Sequence, residues 1–246
     1  MFVLKIEAWG GLTLVEQIVE GNRNEVWRAE RNGDTFAVRQ SRRSELSLMW
    51  ELELIDFLSH CGFLVPEVVP ADNGRSHDQG VVVQKWIEGT PPESTADWHR
   101  VADELQRLHT VATGLAQRPG CCAAADLVLH RTSVDADLDA LPASERSIVE
   151  MVLAGVSDIA QSVIHGDPHG PNIRITASGA VGLLDWDESR VDVVWHDLSN
   201  LGVQVLDPVD HQRALSLSDA WEAVNAWLIE PEYAASRLSA LRRRLS

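Results

Sequence analysis

Apolar positions in this chain follow two periods. Residues 2–6 alternate apolar with polar, and residues 12–19 add β-branched and apolar side chains, so both stretches predict strands. A turn-rich segment, Glu20-Gly21-Asn22-Arg23-Asn24-Glu25, separates them from a third apolar run at residues 26–29. Arg31-Asn32-Gly33-Asp34 is a strong hairpin turn, and residues 35–40 alternate as a strand should. The period then lengthens. Leu48, Leu52, Ile55 and Leu58 share one face of a helix predicted over residues 44–60, with Ser44 as N-cap and Gly62 as stop. The apolar run at 81–87 predicts a buried strand, closed by the breakers Gly89, Pro91 and Pro92. Trp98, Val101, Leu105 and Leu108 mark an amphipathic helix over 94–111. Residues 118–140, rich in small side chains, are expected to be a loop. Further helices are expected over 142–161, 219–229 and 231–245.

The polar residues most regular in spacing lie in residues 163–187: His165, Asp167, Asn172, Asp185 and Asp187. Two short β-type runs, Ile173 to Ile175 and Val181 to Leu184, flank Ala177-Ser178-Gly179, which reads as a hairpin returning both polar clusters to one end. Asp167, Asn172 and Asp185 would then converge. Carboxylate and amide oxygens suit Mg²⁺, which prefers hard oxygen ligands and leaves positions for phosphate and water. A further carboxylate can orient a hydroxyl nucleophile, and the two together are what phosphoryl transfer requires.

Composition narrows the partners. The chain has 246 residues, 45% hydrophobic and 24% charged, as expected of an ordinary globular protein. Its formal charge of −16 disfavours nucleic acid and anionic membranes as partners and suits a cationic substrate. No apolar run approaches the ~20 residues of a membrane span, and the N-terminus lacks the pattern of a secretory signal. Cys61, Cys121 and Cys122 have no metal-ligand spacing, which points to reduced thiols and a cytoplasmic protein. Lys5 and Lys85 are the only lysines.

H-G-D-x-x-x-x-N followed by D-W-D resembles the aminoglycoside phosphotransferase/choline kinase family, relatives of the protein kinases. The resemblance implies an α+β, two-lobed protein-kinase-like fold. Its N-terminal nucleotide-binding lobe, residues 1–88, would hold a small antiparallel sheet, and residues 89–246 a mostly helical catalytic and substrate-binding lobe. By the same resemblance Asp167 is the catalytic base, His165 supports the catalytic loop, and Asn172 and Asp185 bind Mg²⁺. ATP would meet backbone at the turn containing Gly21 and Asn22, and adenine would meet the hinge at Gln84, Lys85 and Trp86. The family's phosphate-binding lysine corresponds to Arg39, which keeps the charge but changes the geometry. Its acidic partner is Glu51, with Glu53 competing. L-x-x-L-H ending at His109 resembles the family's ending of this helix, with His109 a packed helix-terminal residue, and W-x-D-L containing Asp197 resembles a helix start that supports the catalytic loop.

The expected activity is ATP-dependent phosphorylation of a small-molecule hydroxyl, with an aminoglycoside or similar cationic antibiotic as leading acceptor. Asp187, Glu188, Asp192, Glu222 and Glu230 would then receive its ammonium groups. Choline, an amino alcohol, a sugar or a macrolide is the alternative acceptor. A kinase-like binding or regulatory protein with little transfer activity is the alternative function, motivated by Arg39. A metal-dependent hydrolase is a third reading, weakened because it leaves the N-terminal half without a role.

Overall fold

The structure is a computed structural model and describes residues 4–18 and 26–246. In chain order its elements are β1 (Thr13–Ile18), β2 (Val26–Arg31), β3 (Asp34–Gln40), α1 (Glu45–His60), β4 (Val81–Lys85), α2 (Thr95–Val111), α3 (Ala124–His130), β5 (Thr132–Ser133), β6 (Ala136–Asp137), α4 (Ala143–Ala154), β7 (Gln161–Ile164), β8 (Ile173–Ile175), β9 (Val181–Leu183), β10 (Arg190–Val193), α5 (Trp195–Ser199), α6 (Pro208–Ala226) and α7 (Pro231–Leu245). They form two compact units, Met1–Pro92 with Gly170–Asp187, and Glu93–His169 with Glu188–Ser246.

The first unit is built on the antiparallel sheet β1-β2-β3-β4. Asn32 and Gly33 both take positive φ, 55° and 91°, which lets the two-residue turn follow the twist of β2 and β3. Strand alternation then sorts β3. Phe36 and Val38 enter a core with Leu4, Trp9, Ala29 and Val83, while Ala37 and Arg39 take the opposite face. Ser44 caps α1 by accepting from Ser47 N at 3.3 Å, and Leu48 and Leu52 of that helix pack on Val82. The β8–β9 hairpin belongs here too. Leu183 N donates to Leu64 O at 3.0 Å, and Thr90 and Ile175 exchange bonds of 3.1 and 2.7 Å.

In the second unit α2 starts on a capping box formed by Ser94 and Asp97. Strands β7 and β10 pair antiparallel, Ile164 opposite Arg190. Leu127, Leu138, Leu153, Val193, Leu217 and Val224 meet in one core. Asp219 of α6 is almost wholly buried and is matched by Arg237 at 2.8 Å and Arg244 at 2.7 Å, which ties α7 to α6.

Several expectations change. Residues 1–3 and 19–25 lie outside the described residues, and Leu4 to Ile6 lie in no strand. The division differs from 1–88 and 89–246, because backbone bonds at Thr90 and Leu64 draw the hairpin into the first unit. The expected loop at 118–140 contains α3 and the small β5–β6 ladder, and the helix expected over 142–161 is α4 followed by β7. α6 begins at Pro208, capped by Asp207, rather than at residue 219. Near the end of α7, Arg242 meets Glu145 and Arg244 meets Asp219.

His196 sets an acid limit on this second unit. Its ring lies edge-on to Trp221 with centroids 5.7 Å apart. Burial is the main cause holding its pKa down to about 4; Asp192 and Asp197 oppose the shift and Arg190 reinforces it. The fold therefore prefers neutral imidazole. That preference stabilises fully above the unfolded value of about 6.5 and is lost as pH falls from there towards 4, about 3 kcal/mol in all. Denaturant unfolding at neutral pH and at about pH 4.5 should show wild type losing roughly 2 kcal/mol more than His196→Phe on acidification. Parallel losses would refute this.

Candidate active site

Arg39, Asn172, Asp185 and the end of β4 lie in the first unit, around an open cleft. Ile18, Val26, Ala37 and Leu184 give it apolar walls, and Arg39, Asn172 and Asp185 line it as well. Arg39 Nη2 donates to Glu51 Oε1, and both side chains are buried. Burial lowers the Arg39 pKa, but Glu51, and then Asp185 and Asp187, outweigh it and raise the guanidinium above its ordinary value. Arg39 Nη1 is buried without a hydrogen-bond partner among the described residues. A buried donor of this kind calls for an acceptor. Glu53, the competing partner, is exposed.

Asn172 and Asp185 supply an amide oxygen and a carboxylate to the same cleft. Leu184 N donates to Asn172 O at 2.8 Å, which holds the two ends of the hairpin together. Asp185 takes φ 53°, a left-handed conformation uncommon for a residue other than glycine and frequent at ligand-holding turns. No group of three or more His, Cys, Asp or Glu placed to hold a metal occurs among the described residues. One carboxylate and one amide oxygen fit the donor chemistry of Mg²⁺, which takes few protein ligands and completes its shell with phosphate and water. Asp187, expected to face an acceptor, is instead nearly buried, and its Oδ2 accepts from Arg43 Nε at 3.1 Å and Nη2 at 2.8 Å.

At the end of β4 the side chains mostly serve the protein. Gln84 Nε2 donates to Pro66 O at 3.1 Å, and Lys85 Nζ meets Glu67 Oε2 at 2.5 Å. Lys85 N and Trp86 N are likewise committed, to Glu67 O at 2.8 Å and Thr35 O at 3.3 Å. All three residues line the cleft, as does Ile87. Gly21 and Asn22 lie outside the described residues.

The loop that carries His165 and Asp167 belongs to the second unit. Gly166 takes φ 90°, and a Cβ there would lie 2.4 Å from Glu188 O, so only glycine fits. Asp197 holds the loop: its Oδ2 accepts from His165 N at 2.8 Å and lies 2.8 Å from His109 Nε2, and its Oδ1 accepts from Gly166 N at 2.9 Å. Burial would raise the Asp197 pKa, but the hydrogen bonds from His109 and from the Gly166 backbone hold it below the ordinary range. His165 is wholly buried, which removes it from contact with any substrate; its Nδ1 accepts from Asp167 N at 3.3 Å. Asp167 is half-exposed, with His169 Nδ1 2.7 Å from its Oδ1.

A model of the APH phosphotransferase enzyme family matches residues 14–235. The chain belongs to that family. No curated protein sequence matches it. Among solved structures it is similar to aminoglycoside phosphotransferase APH(4)-Ia, at TM-score 0.73 and 11% identity over 98% of this chain and 97% of that one. It is also similar to choline kinase LicA from Streptococcus pneumoniae, at 0.65 and 16% over 95% and 92%. A macrolide 2'-phosphotransferase type I gives 0.60 and 19% over 94% and 92%. At such identities the likeness is one of fold, and the α+β fold with its small antiparallel sheet and helical part is the one the residues implied.

Within this phosphotransferase the expected acceptor carboxylates divide by burial. Asp192 is wholly buried, held by Arg190 at 2.8 Å and accepting from Ala124 N at 2.8 Å, so it cannot meet an acceptor. Glu188 presents its backbone carbonyl to Gly166, and Glu230 precedes α7, where its carbonyl accepts from Ala234 N at 3.0 Å. Glu222 is placed differently. Tyr233 Oη lies 3.5 Å from Glu222 Oε2, and burial, Glu222 and Asp167 together raise the phenol pKa. Tyr233, the single tyrosine, thus links Glu222 of α6 to the first turn of α7. Sequence reasoning passed over Tyr233, Arg43 and Arg174. Of these, Arg174 carried the clearest signal, a cation inside the short apolar run that follows Asn172.

Glu51→Gln would leave the buried Arg39 charge uncompensated and should cost about 3 kcal/mol of unfolding free energy in a urea titration. Glu53→Gln, on the exposed face, should change it by less than about 0.5 kcal/mol. The reverse order would transfer the pairing to Glu53.

Proposed function

We propose that this protein transfers the γ-phosphoryl group of ATP to a hydroxyl of a small amine-bearing molecule, with an aminoglycoside or similar cationic antibiotic the leading acceptor. The observation that carries the reading is the cleft of the first unit. There a buried guanidinium donor lacking a partner among the described residues shares a lining with two hard oxygen ligands. Anionic phosphates satisfy the first and a divalent cation the second. Asn172 and Asp185 would hold Mg²⁺, which when bound neutralises charge on the β- and γ-phosphates. Arg39, fixed by Glu51, directs its remaining nitrogen at the phosphates. Lys85 N and Trp86 N are occupied, so the base edge falls to neighbouring backbone groups such as Ile87 N–H, for which no partner occurs among the described residues.

Asp167 orients the acceptor hydroxyl. The acceptor oxygen bonds to the γ-phosphorus as the bridging P–O bond breaks; the hydroxyl proton passes towards the Asp167 carboxylate and ADP leaves. Glu222, Tyr233 and the charge of −16 support an ammonium-bearing acceptor. The same charge argues against nucleic acid as a partner. Among the described residues no helix is long and apolar enough to cross a membrane. A cytoplasmic location belongs to this proposal.

Arg39 in place of the family's lysine is the observation that favours a second reading, nucleotide binding with little transfer. ADP release measured across aminoglycosides, macrolides, choline, amino alcohols and sugars separates the two. Acceptor-dependent release that falls about 100-fold or more in Asp167→Asn, with nucleotide binding retained, is the expected outcome. Binding without release on any acceptor would favour the second reading, and release unchanged in Asp167→Asn would overturn the role of Asp167.

A further inference from the structure

Arg174 is a second arginine in the nucleotide cleft, and the roles assigned above leave it unused. It stands on β8 opposite Gly182, between wholly buried Ile173 and half-buried Ile175, and strand alternation turns it to the face that lines the cleft. Its stem begins under the hinge: a Cβ at Gly89 would lie 3.2 Å from Arg174 Cβ, and a Cβ at Gly182 would lie 3.0 Å from Ile87 Cγ2. Its head runs the other way. Nη1 donates to Pro171 O at 2.8 Å and to Ile173 O at 2.9 Å, beside the metal-ligand position Asn172. Among the described residues no carboxylate pairs with Arg174, and its Nε and Nη2 have no acceptor.

Taking the nucleotide reading above as its basis, the placement has a direct consequence. A base lodged at the hinge and phosphates lodged at Arg39, Asn172 and Asp185 leave the sugar over the span that Arg174 crosses. We propose that Arg174 is a nucleoside-positioning residue, its guanidinium donating to the ribose hydroxyls while its methylene stem forms part of the floor beneath the base. The carbonyls of Pro171 and Ile173 hold Nη1, so the remaining nitrogens are pre-oriented and little rotamer freedom is lost on binding. Carbonyls rather than carboxylates hold the head, and the charge therefore stays available to strengthen its hydrogen bonds.

The test is equilibrium titration of wild type and Arg174→Met with ATP and with 2′,3′-dideoxy-ATP, both with Mg²⁺ and no acceptor. Methionine keeps the apolar floor and removes the donors. Wild type should bind ATP about tenfold more tightly than the dideoxy nucleotide, as expected for hydrogen bonds from a charged donor, and Arg174→Met should bind the two alike. An unchanged preference in the variant overturns the proposal, as does equal affinity of wild type for both nucleotides. A loss of ATP affinity with the preference retained also overturns it, and assigns Arg174 to a phosphate. If Arg174→Met does not fold, Arg174→Lys, which keeps the charge but not the fork, should weaken the preference. Failure of wild type to bind ATP at all would sink the nucleotide reading itself, a result separable from each of these.

Discussion

Two charges held out of water are tolerable only while they match, and Arg39 with Glu51 is such a pair at the centre of the first unit. Glu51 is wholly buried on α1 and Arg39 nearly so on β3. The pair joins helix to sheet, and it also decides the direction of the guanidinium: with Nη2 taken by Glu51, the buried Nη1 is the donor left for a ligand. Asp185 and Asp187 add to the field that keeps Arg39 charged. Strand alternation is what permits this, because Val38 fills the core while its neighbour Arg39 faces the cleft.

The turn that carries Asp185 and the loop that carries Asp167 are each held by a buried carboxylate. In the first unit Asp187 is gripped by the fork of Arg43, and this fixes the turn in which Asp185 adopts its strained backbone. In the second unit Asp197 gathers two backbone N–H groups and His109, and this fixes the loop that carries Asp167. Rigid support of this kind is what phosphoryl transfer asks of a protein, since positioning and charge supply most of the catalysis.

The hairpin within residues 163–187 was legible because two short β-type runs flank a turn, and the sheet and α1 were legible because their periods are regular. α6 was half hidden. Its second half is buried on nearly every side, with Ser216, Ser218 and Asp219 inside, so no apolar stripe marks it. α3 was hidden by its length of seven residues and its small side chains. The acidic residues misled for another reason. A carboxylate reads alike in sequence whether it meets a ligand or an internal arginine, and only the fold shows that Asp187 and Asp192 belong to Arg43 and Arg190.

The central claim is that Arg39, Asn172 and Asp185 make one Mg²⁺-nucleotide site. Its most direct test is the affinity of wild type and Asp185→Asn for ATP with and without Mg²⁺. Wild type should tighten by about tenfold or more when Mg²⁺ is added, and Asp185→Asn should lose most of that gain while its metal-free affinity stays close to wild type. ATP affinity indifferent to Mg²⁺ in wild type, or an equal metal effect in both proteins, would contradict the assignment.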